Sequence, residues 1–261
     1  MIKEIGIIGK GMIGNAISNL FKDKLNIHYY DPSYRDYATD EAKKAIDNCS
    51  LAFICVPTPL LENKLDMSYV EKVISEFSPG LFICSSTLQP GTANRLMKKY
   101  NKKIVVNPEY FGETPNHPLV NLKQQEFLIL GGEKNDIERV IDLYKQVYNA
   151  NIKIRKVSAY EAEIIKLSEN RAIGFKIAQC QELYDLCQKA KVDYNTIREA
   201  VYGDDPRFNL WWTFIYREKR GFLSKCLPKD IYGWEHLAKG VGLEPELTTA
   251  LLKYNDKLIG K

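Results

Sequence analysis

The sequence predicts an α/β domain, a doubly wound parallel sheet, followed by an all-helical domain built on one long central helix. Three features predict it: apolar runs alternating with helical patterns, a glycine loop directly after the first run, and a proline-free amphipathic stretch after Ser158. The change of texture at Ser158 divides the chain into domains over 1–157 and 158–261.

The runs "EIGIIG" (4–9), "NIHYYD" (26–31), "LAFICVP" (51–57), "GLFICSS" (80–86), "KIVVNP" (103–108) and "EFLILGG" (126–132) are rich in Ile, Val, Phe and Tyr, and are bounded by Gly, Pro, Asn or Asp. They are near-continuous rather than alternating, as strands buried on both faces of a parallel sheet are. Helices fit between several of them, over 12–22, 68–77, 91–100 and 135–148. In "SAYE", Ser158 and Glu161 form a capping box that opens the long helix, expected to reach Lys191. Its apolar positions, among them Ile164, Leu167, Ile177 and Leu183, recur at helical spacing. A helix of that length exceeds what a small domain buries, which predicts an interface and a homodimer through this helix. "VDYNTIREAVYG" reads as another helix, 204–230 as an aromatic loop, and 230–259 as one or two closing helices.

The 261 residues are 45% hydrophobic and 27% charged, an ordinary globular mix. The 37 basic and 33 acidic residues nearly cancel, leaving +4, too small an excess to argue for nucleic acid. The six cysteines form no CxxC pair and no metal-ligand spacing, so no metal is expected. "MIKEIGIIGKG" leaves no room for a signal peptide, and no apolar stretch is long enough for a bilayer. A cytoplasmic protein without a membrane partner is expected.

"GKGMIG" places Gly9, Gly11 and Gly14 in G-x-G-x-x-G spacing, with Met12 and Ile13 completing the loop. Glycine lets the backbone approach a pyrophosphate resting on a helix N-terminus, as in a Rossmann-like domain. Asp31 ends the next strand, where an acid accepts hydrogen bonds from a ribose and repels a 2′-phosphate, favouring NAD over NADP. A tight turn that binds nothing is the bland alternative. In "KRGFLSKCLPKD", Cys226 is on general grounds a small apolar residue or a nucleophile. Lys166 and Asn170, at i and i+4, share a helix face.

Five further segments stand in order. "ICVPTPLLENKLDMSYVEKV" resembles the V-P-T-P loop and D-x-S-Y-V of the UDP-glucose/GDP-mannose dehydrogenase family, "SSTLQPGT" its S-T-x-x-P-G-T, and "NPEYFGE" its N-P-E-F-L-x-E. "AEIIKLSEN" resembles its A-E-x-x-K-x-x-x-N, and "GFLSKCLPKD" its cysteine loop G-F-G-G-x-C-x-P-K-D. The resemblance implies oxidation of a primary alcohol on a nucleotide sugar, twice, with two NAD. Cys226 would be the nucleophile that carries a thiohemiacetal and then a thioester.

Other roles follow residue by residue from that resemblance. Lys166 and Asn170 would hold the developing oxyanion. Asp230 would hold the lysine or a water, and Thr87 and Glu109 would position water for proton transfer and hydrolysis. Val56, Pro57, Thr58, Ser86, Thr87 and Glu113 would join the glycine loop around NAD. Glu109, Tyr110, Phe111, Gly112, Glu113, Gly221 and Arg207 would line the substrate, Arg207 reaching a partner subunit's substrate phosphate.

The sequence also departs from the family. The resemblance implies a further nucleotide-binding α/β domain after "LLKYNDKLIGK", so the chain is expected to be either a naturally short form or a truncated piece of a longer one. Leu223 and Ser224 stand where two glycines are expected. Trp211, Trp212, Phe214 and Tyr216 either cover the surface such a domain would bury or are ordinary core aromatics. Two other readings stand beside the leading one: a single-step β-hydroxyacid-type NAD dehydrogenase, and a non-catalytic NAD-binding protein.

Overall fold

A computed structural model describes residues 2–112 and 119–260; Glu113 lies outside the described residues. The chain forms two compact units, Met1–Leu61 with Leu65–Lys166, and Glu62–Lys64 with Leu167–Lys261.

In the first unit, β1 (Glu4–Ile8), β2 (Asn26–Tyr30), β3 (Ala52–Ile54), β6 (Phe82–Cys84), β7 (Ile104–Val106), β8 (Phe127–Gly131) and β9 (Lys153–Val157) form one sheet in the order β2-β1-β3-β6-β7-β8-β9. A separate ribbon pairs β4 (Leu60–Leu61) with β5 (Lys64–Leu65). Every residue of β3, β6 and β7 is buried, as their unbroken apolar runs require. One face packs α1 (Met12–Phe21) and α5 (Lys134–Tyr144) through Ile17, Leu20, Phe21, Ile137 and Val140. The other packs α2 (Asp40–Asn48), α3 (Ser68–Glu76) and α4 (Thr92–Tyr100) through Ile46, Val70, Ile74 and Leu96. Phe53 is fully buried between Phe21 and Tyr144, and truncating it to Ala would cost about 3–5 kcal/mol.

The sheet is not wholly parallel, which corrects the expectation. β8 pairs with β7 antiparallel at Val106 and Gly131, while β9 lies parallel to β8. Parallel neighbours are joined by a crossover, usually a helix. Among the described residues between β7 and β8, only the 3₁₀ turn Leu122–Gln124 is helical, and the chain returns in the opposite sense. α2 buries one residue and β9 none, so neither announces itself: only Ile46 is buried in "DEAKKAIDN", and three of the five residues of "KIRKV" are charged.

α6 (Ala159–Ala190) is the long helix. Its capping box is formed: Glu161 N donates to Ser158 Oγ at 3.2 Å, and Ser158 N to Glu161 Oε2 at 2.7 Å. In the second unit, α6 is followed by α7 (Tyr194–Glu199), α8 (Leu227–Gly240) and α9 (Glu246–Leu258). Their core is Ala178, Phe222, Ile231, Leu251 and Leu252. Gly174 lets α6 and α8 approach, because a Cβ there would lie 2.5 Å from Ile231 Cδ1. No described helix is long and apolar enough to cross a membrane.

Candidate functional site

The glycine loop joins β1 to α1 at the C-terminal edge of the sheet, where β2 and β3 flank β1 and the strand order reverses. Ligands of open α/β sheets bind at such a reversal. Gly9 has φ +97°, and a Cβ there would lie 2.5 Å from Cys55 O. At Gly14 a Cβ would lie 2.0 Å from Gly9 O, so this glycine permits the helix to pack on its own loop. Gly11, the N-cap of α1, has open space around its missing Cβ, and no side chain caps the helix. Met12 is exposed and Ile13 half-buried beside it. A bare helix N-terminus behind two sterically required glycines fits a dinucleotide pyrophosphate.

Asp31 follows β2. Its Oδ2 accepts from Lys10 N at 2.7 Å and its Oδ1 from Ser33 N at 2.8 Å, which fixes the carboxylate beside the loop. Val56, Pro57 and Thr58 follow β3; Ser86 and Thr87 follow β6. Ser86 Oγ donates to Val56 O at 2.7 Å and ties the two loops together. Thr58 is buried and Thr87 half-buried.

Glu109 lies beyond β7. Its Oε1 accepts from Tyr110 N at 2.7 Å and Phe111 N at 3.0 Å. Burial raises its carboxyl above the ordinary range, against those two donors and the nearby Lys166, which pull it down. Lys166 places its ammonium 4.6 Å from the centre of the Tyr110 ring. Glu109, Tyr110 and Lys166 therefore come together, with Phe111 and Gly112 following in the same half-buried turn.

In the second unit Asn170 and Asp230 meet. Asn170 Nδ2 donates to Asp230 Oδ2 at 2.5 Å, and Lys229 Nζ donates to Asp230 Oδ1 at 2.6 Å. Cys226 is exposed and is the N-cap of α8, whose first turn contains proline. Gly221 has φ +70°, and a Cβ there would lie 2.5 Å from Asn255 Oδ1. Asn255 Oδ1 accepts from Phe222 N at 2.8 Å and pins this turn. Leu223 and Ser224 do not have positive φ, so the loop uses no glycine freedom where two glycines were expected. Leu223 instead turns outward, and Ser224 Oγ accepts from Leu227 N at 3.1 Å, which helps to start α8.

Arg207 is exposed and forms a bidentate pair with Asp205, at 2.9 Å from Nε to Oδ1 and 2.6 Å from Nη2 to Oδ2. Trp211, Phe214 and Tyr216 are 44%, 49% and 59% exposed, so they are not core aromatics. Trp212 is half-buried with φ +60°. The loop is held at buried Thr213, whose carbonyl accepts from Tyr194 OH and whose hydroxyl accepts from Arg198 Nε at 2.8 Å.

Three contributing residues were not singled out in the sequence. Lys10 is the unspecified residue of the glycine loop, while Lys229 and Glu163 stand inside the matched P-K-D and A-E-x-x-K segments without a role of their own. Glu163 is 1% exposed and receives Gly91 N at 2.6 Å and Ala93 N at 2.8 Å. The run of carboxylate-compatible N–H groups after "QPG" is visible only once α4 has formed.

Glycines that only a close backbone permits, an uncapped helix start and an acid just after β2 define a dinucleotide-binding domain. Residues 32–150 match the NAD binding domain of the UDP-glucose/GDP-mannose dehydrogenase family, and residues 160–257 match its central domain. The chain belongs to that family, and its cofactor is NAD. It is 23% identical over 301 residues to the UDP-glucose 6-dehydrogenase TuaD of Bacillus subtilis, covering 98% of this chain and 63% of that protein. It is 30% identical over 168 residues to a UDP-N-acetyl-D-mannosamine dehydrogenase of Methanococcus maripaludis, covering 60% of this chain and 38% of that protein. The chain thus spans less than two thirds of the length of these relatives. The fold is similar to that of a UDP-glucose dehydrogenase from Pyrobaculum islandicum, with a TM-score of 0.85 and 22% identity, over 98% of this chain and 68% of that one.

Proposed function

We propose that this chain carries the chemistry of an NAD-dependent nucleotide-sugar dehydrogenase, oxidising the primary alcohol of a UDP-glucose-like substrate to a uronic acid in two steps. The observation that carries the reading is Cys226 at the exposed start of α8, one helical turn ahead of an Asp230 that is bound to Asn170. A sulfur at a helix N-terminus faces the end of the dipole that favours a negative charge.

NAD would be held by Gly9, Gly11, Gly14 and Asp31 with the loops after β3 and β6, and would supply the hydride acceptor for each oxidation. In the first step a base takes the hydroxyl proton as hydride leaves carbon, giving the aldehyde; Thr87 and Glu109 serve through water. The Cys226 thiolate then adds to the aldehyde carbon, and Lys166 and Asn170 stabilise the oxygen that gains charge. A second hydride then leaves the thiohemiacetal carbon for a second NAD, which would take the site once NADH has left, and as the hydroxyl proton is lost a thioester forms on Cys226. Water activated at Glu109 cleaves that thioester to the acid and restores the thiol. Phe111, Gly112, Gly221 and Arg207 are assigned to the substrate, and the homodimer is assigned to α6, which keeps Leu186 61% exposed.

NADH released per substrate consumed, with UDP-glucose and a panel of other nucleotide sugars, tests the reading in wild type and Cys226→Ser. Two NADH and an acid product, lost or stalled in the variant, are expected. One NADH, indifferent to the variant, would replace this reading with a single-step dehydrogenase.

A further inference from the structure

The dinucleotide loop of this chain carries a cation where the argument for NAD rests on an anion. Asp31 reads the ribose because its carboxylate accepts hydroxyl hydrogens and repels a phosphate. Yet the residue whose backbone N–H fixes Asp31 Oδ2, at 2.7 Å, is a lysine. Lys10 and Asp31 are thus bound side by side, and the side chain of Lys10 is half-buried rather than free in solvent.

Its ammonium lies over three tyrosine rings. The centroids are 4.5 Å away for Tyr37, 5.2 Å for Tyr29 and 5.7 Å for Tyr34, all within cation–π range. Tyr29 sits on β2 and shares a hydrogen bond with Ser18 of α1, while Tyr34 and Tyr37 lie in the segment that leaves β2 after Asp31. Tyr37 also packs against both of the others, tilted on Tyr29 at 5.4 Å and edge-to-face with Tyr34 at 6.3 Å between centroids. The cage is built from the same strand and exit loop that carry the ribose-reading acid. Ring faces attract an ammonium without neutralising it, so Lys10 keeps a charge that a phosphate dianion would engage more strongly.

We propose that Lys10 is a second determinant of dinucleotide choice: the tyrosine cage holds its ammonium aside while Asp31 enforces NAD, and without Asp31 the same ammonium recruits the 2′-phosphate of NADP. The inference rests on the NAD assignment and concerns only which groups set its selectivity. Arg35, exposed in the same loop, is the rival cation.

The test is calorimetric titration of NAD and NADP into wild type, Asp31→Ser, Asp31→Ser/Lys10→Met and Asp31→Ser/Lys10→Arg. Serine keeps a short polar side chain in place of the carboxylate. In Asp31→Ser the Kd for NADP should fall about tenfold or more, the size of one charge-assisted hydrogen bond. Lys10→Met in that background should remove most of the gain, and Lys10→Arg should retain it. If Asp31→Ser does not fold, judged by circular dichroism, Asp31→Asn carries the same comparison. A gain that survives Lys10→Met would assign the effect to Arg35 and overturn the proposal, as would NADP binding no tighter without Asp31 than with it. Failure of folded wild type to bind either dinucleotide would overturn the NAD reading itself, and the proposal with it.

Discussion

Asn170 and Asp230, on α6 and α8, are joined by a hydrogen bond of 2.5 Å, and Asp230 is completely buried. The second oxygen of Asp230 is taken by Lys229, its neighbour in sequence, at 2.6 Å. One buried carboxylate therefore orients an amide and neutralises an ammonium that is itself only 17% exposed. One amide hydrogen of Asn170 goes to Asp230, and the other remains to serve the oxyanion role proposed for it.

Breaking such a pair leaves the surviving charge without a partner in a desolvated place. Lys229→Met should destabilise the chain by about 2–4 kcal/mol, read from the midpoint of urea unfolding, because Asp230 then keeps its charge with only Asn170 to satisfy it. Asp230→Asn should cost a similar amount by stranding Lys229. The double variant should cost less than the sum of the two, since neither charge is then left alone. Additive losses would mean that the ion pair contributes nothing to stability.

Glu163 gives a pH dependence whose sign is opposite to that of an ordinary salt-bridged acid. Burial raises its carboxyl to about 7 from 4.5, against the two N–H groups of Gly91 and Ala93. The folded chain therefore binds this proton more tightly than the unfolded chain. Its contribution favours folding most at low pH, and is lost as the pH rises from 4.5 toward 7. Glu163→Gln removes the titration. Unfolding free energies of wild type minus variant should rise on acidification from about pH 8 to about pH 5, approaching ~1.4 kcal/mol per unit at the steepest point. A difference that stays flat across that range would contradict the assignment.

Glu109 is also raised by burial, so acidification removes its ionised form at a higher pH than it would for an ordinary carboxylate. If it activates the water that cleaves the Cys226 thioester, hydrolysis should slow as the pH falls through its raised value, and Glu109→Gln should lose that limb. The intact mass of Glu109→Gln after one turnover should show an acyl adduct on Cys226. Wild type at the same pH should show none. Absence of the adduct in the variant would remove Glu109 from the hydrolytic step.

How far the sequence could be read depends on how each element buries its side chains. The six apolar runs became six strands, since a sheet interior accommodates "LAFI" and "LFIC" with every residue buried. α6 was legible because its capping box is local and needs no tertiary contact to form. α2 and β9 were not, because "DEAKKAIDN" buries only Ile46 and "KIRKV" buries no residue, so neither contains an apolar run. The antiparallel entry of β8 was hidden for a different reason: strand direction is set by the connection, and an apolar run reads the same either way. At the loop, the conformation of Gly9 and the close packing at Gly14 are local steric matters, and Asp31 follows β2 directly, so spacing together with the flanking strand and helix made the loop readable. The rings around Lys10, the N–H groups received by Glu163 and the Asn170 partner of Asp230 lie on other elements, where a single sequence gives no contact information.

The two inner glycines of the dinucleotide loop should respond differently to the same methyl group. At Gly14 the added carbon would meet Gly9 O at 2.0 Å and Ile7 Cγ2 at 3.2 Å, one of them backbone that cannot swing away. Gly14→Ala must push α1 off its loop, and should lower the unfolding free energy by about 2–4 kcal/mol as well as weaken NAD. At Gly11 nothing lies within 4 Å of the added carbon. Gly11→Ala should leave the urea midpoint within about 0.5 kcal/mol of wild type, because the fold does not use that space. Its effect should fall on NAD affinity, since the methyl group occupies the side from which a pyrophosphate approaches the α1 N-terminus. Equal unfolding midpoints for the two variants would show that the close approach at Gly14 does not hold the loop. Undiminished NAD binding by Gly11→Ala would show that the pyrophosphate does not rest on this helix.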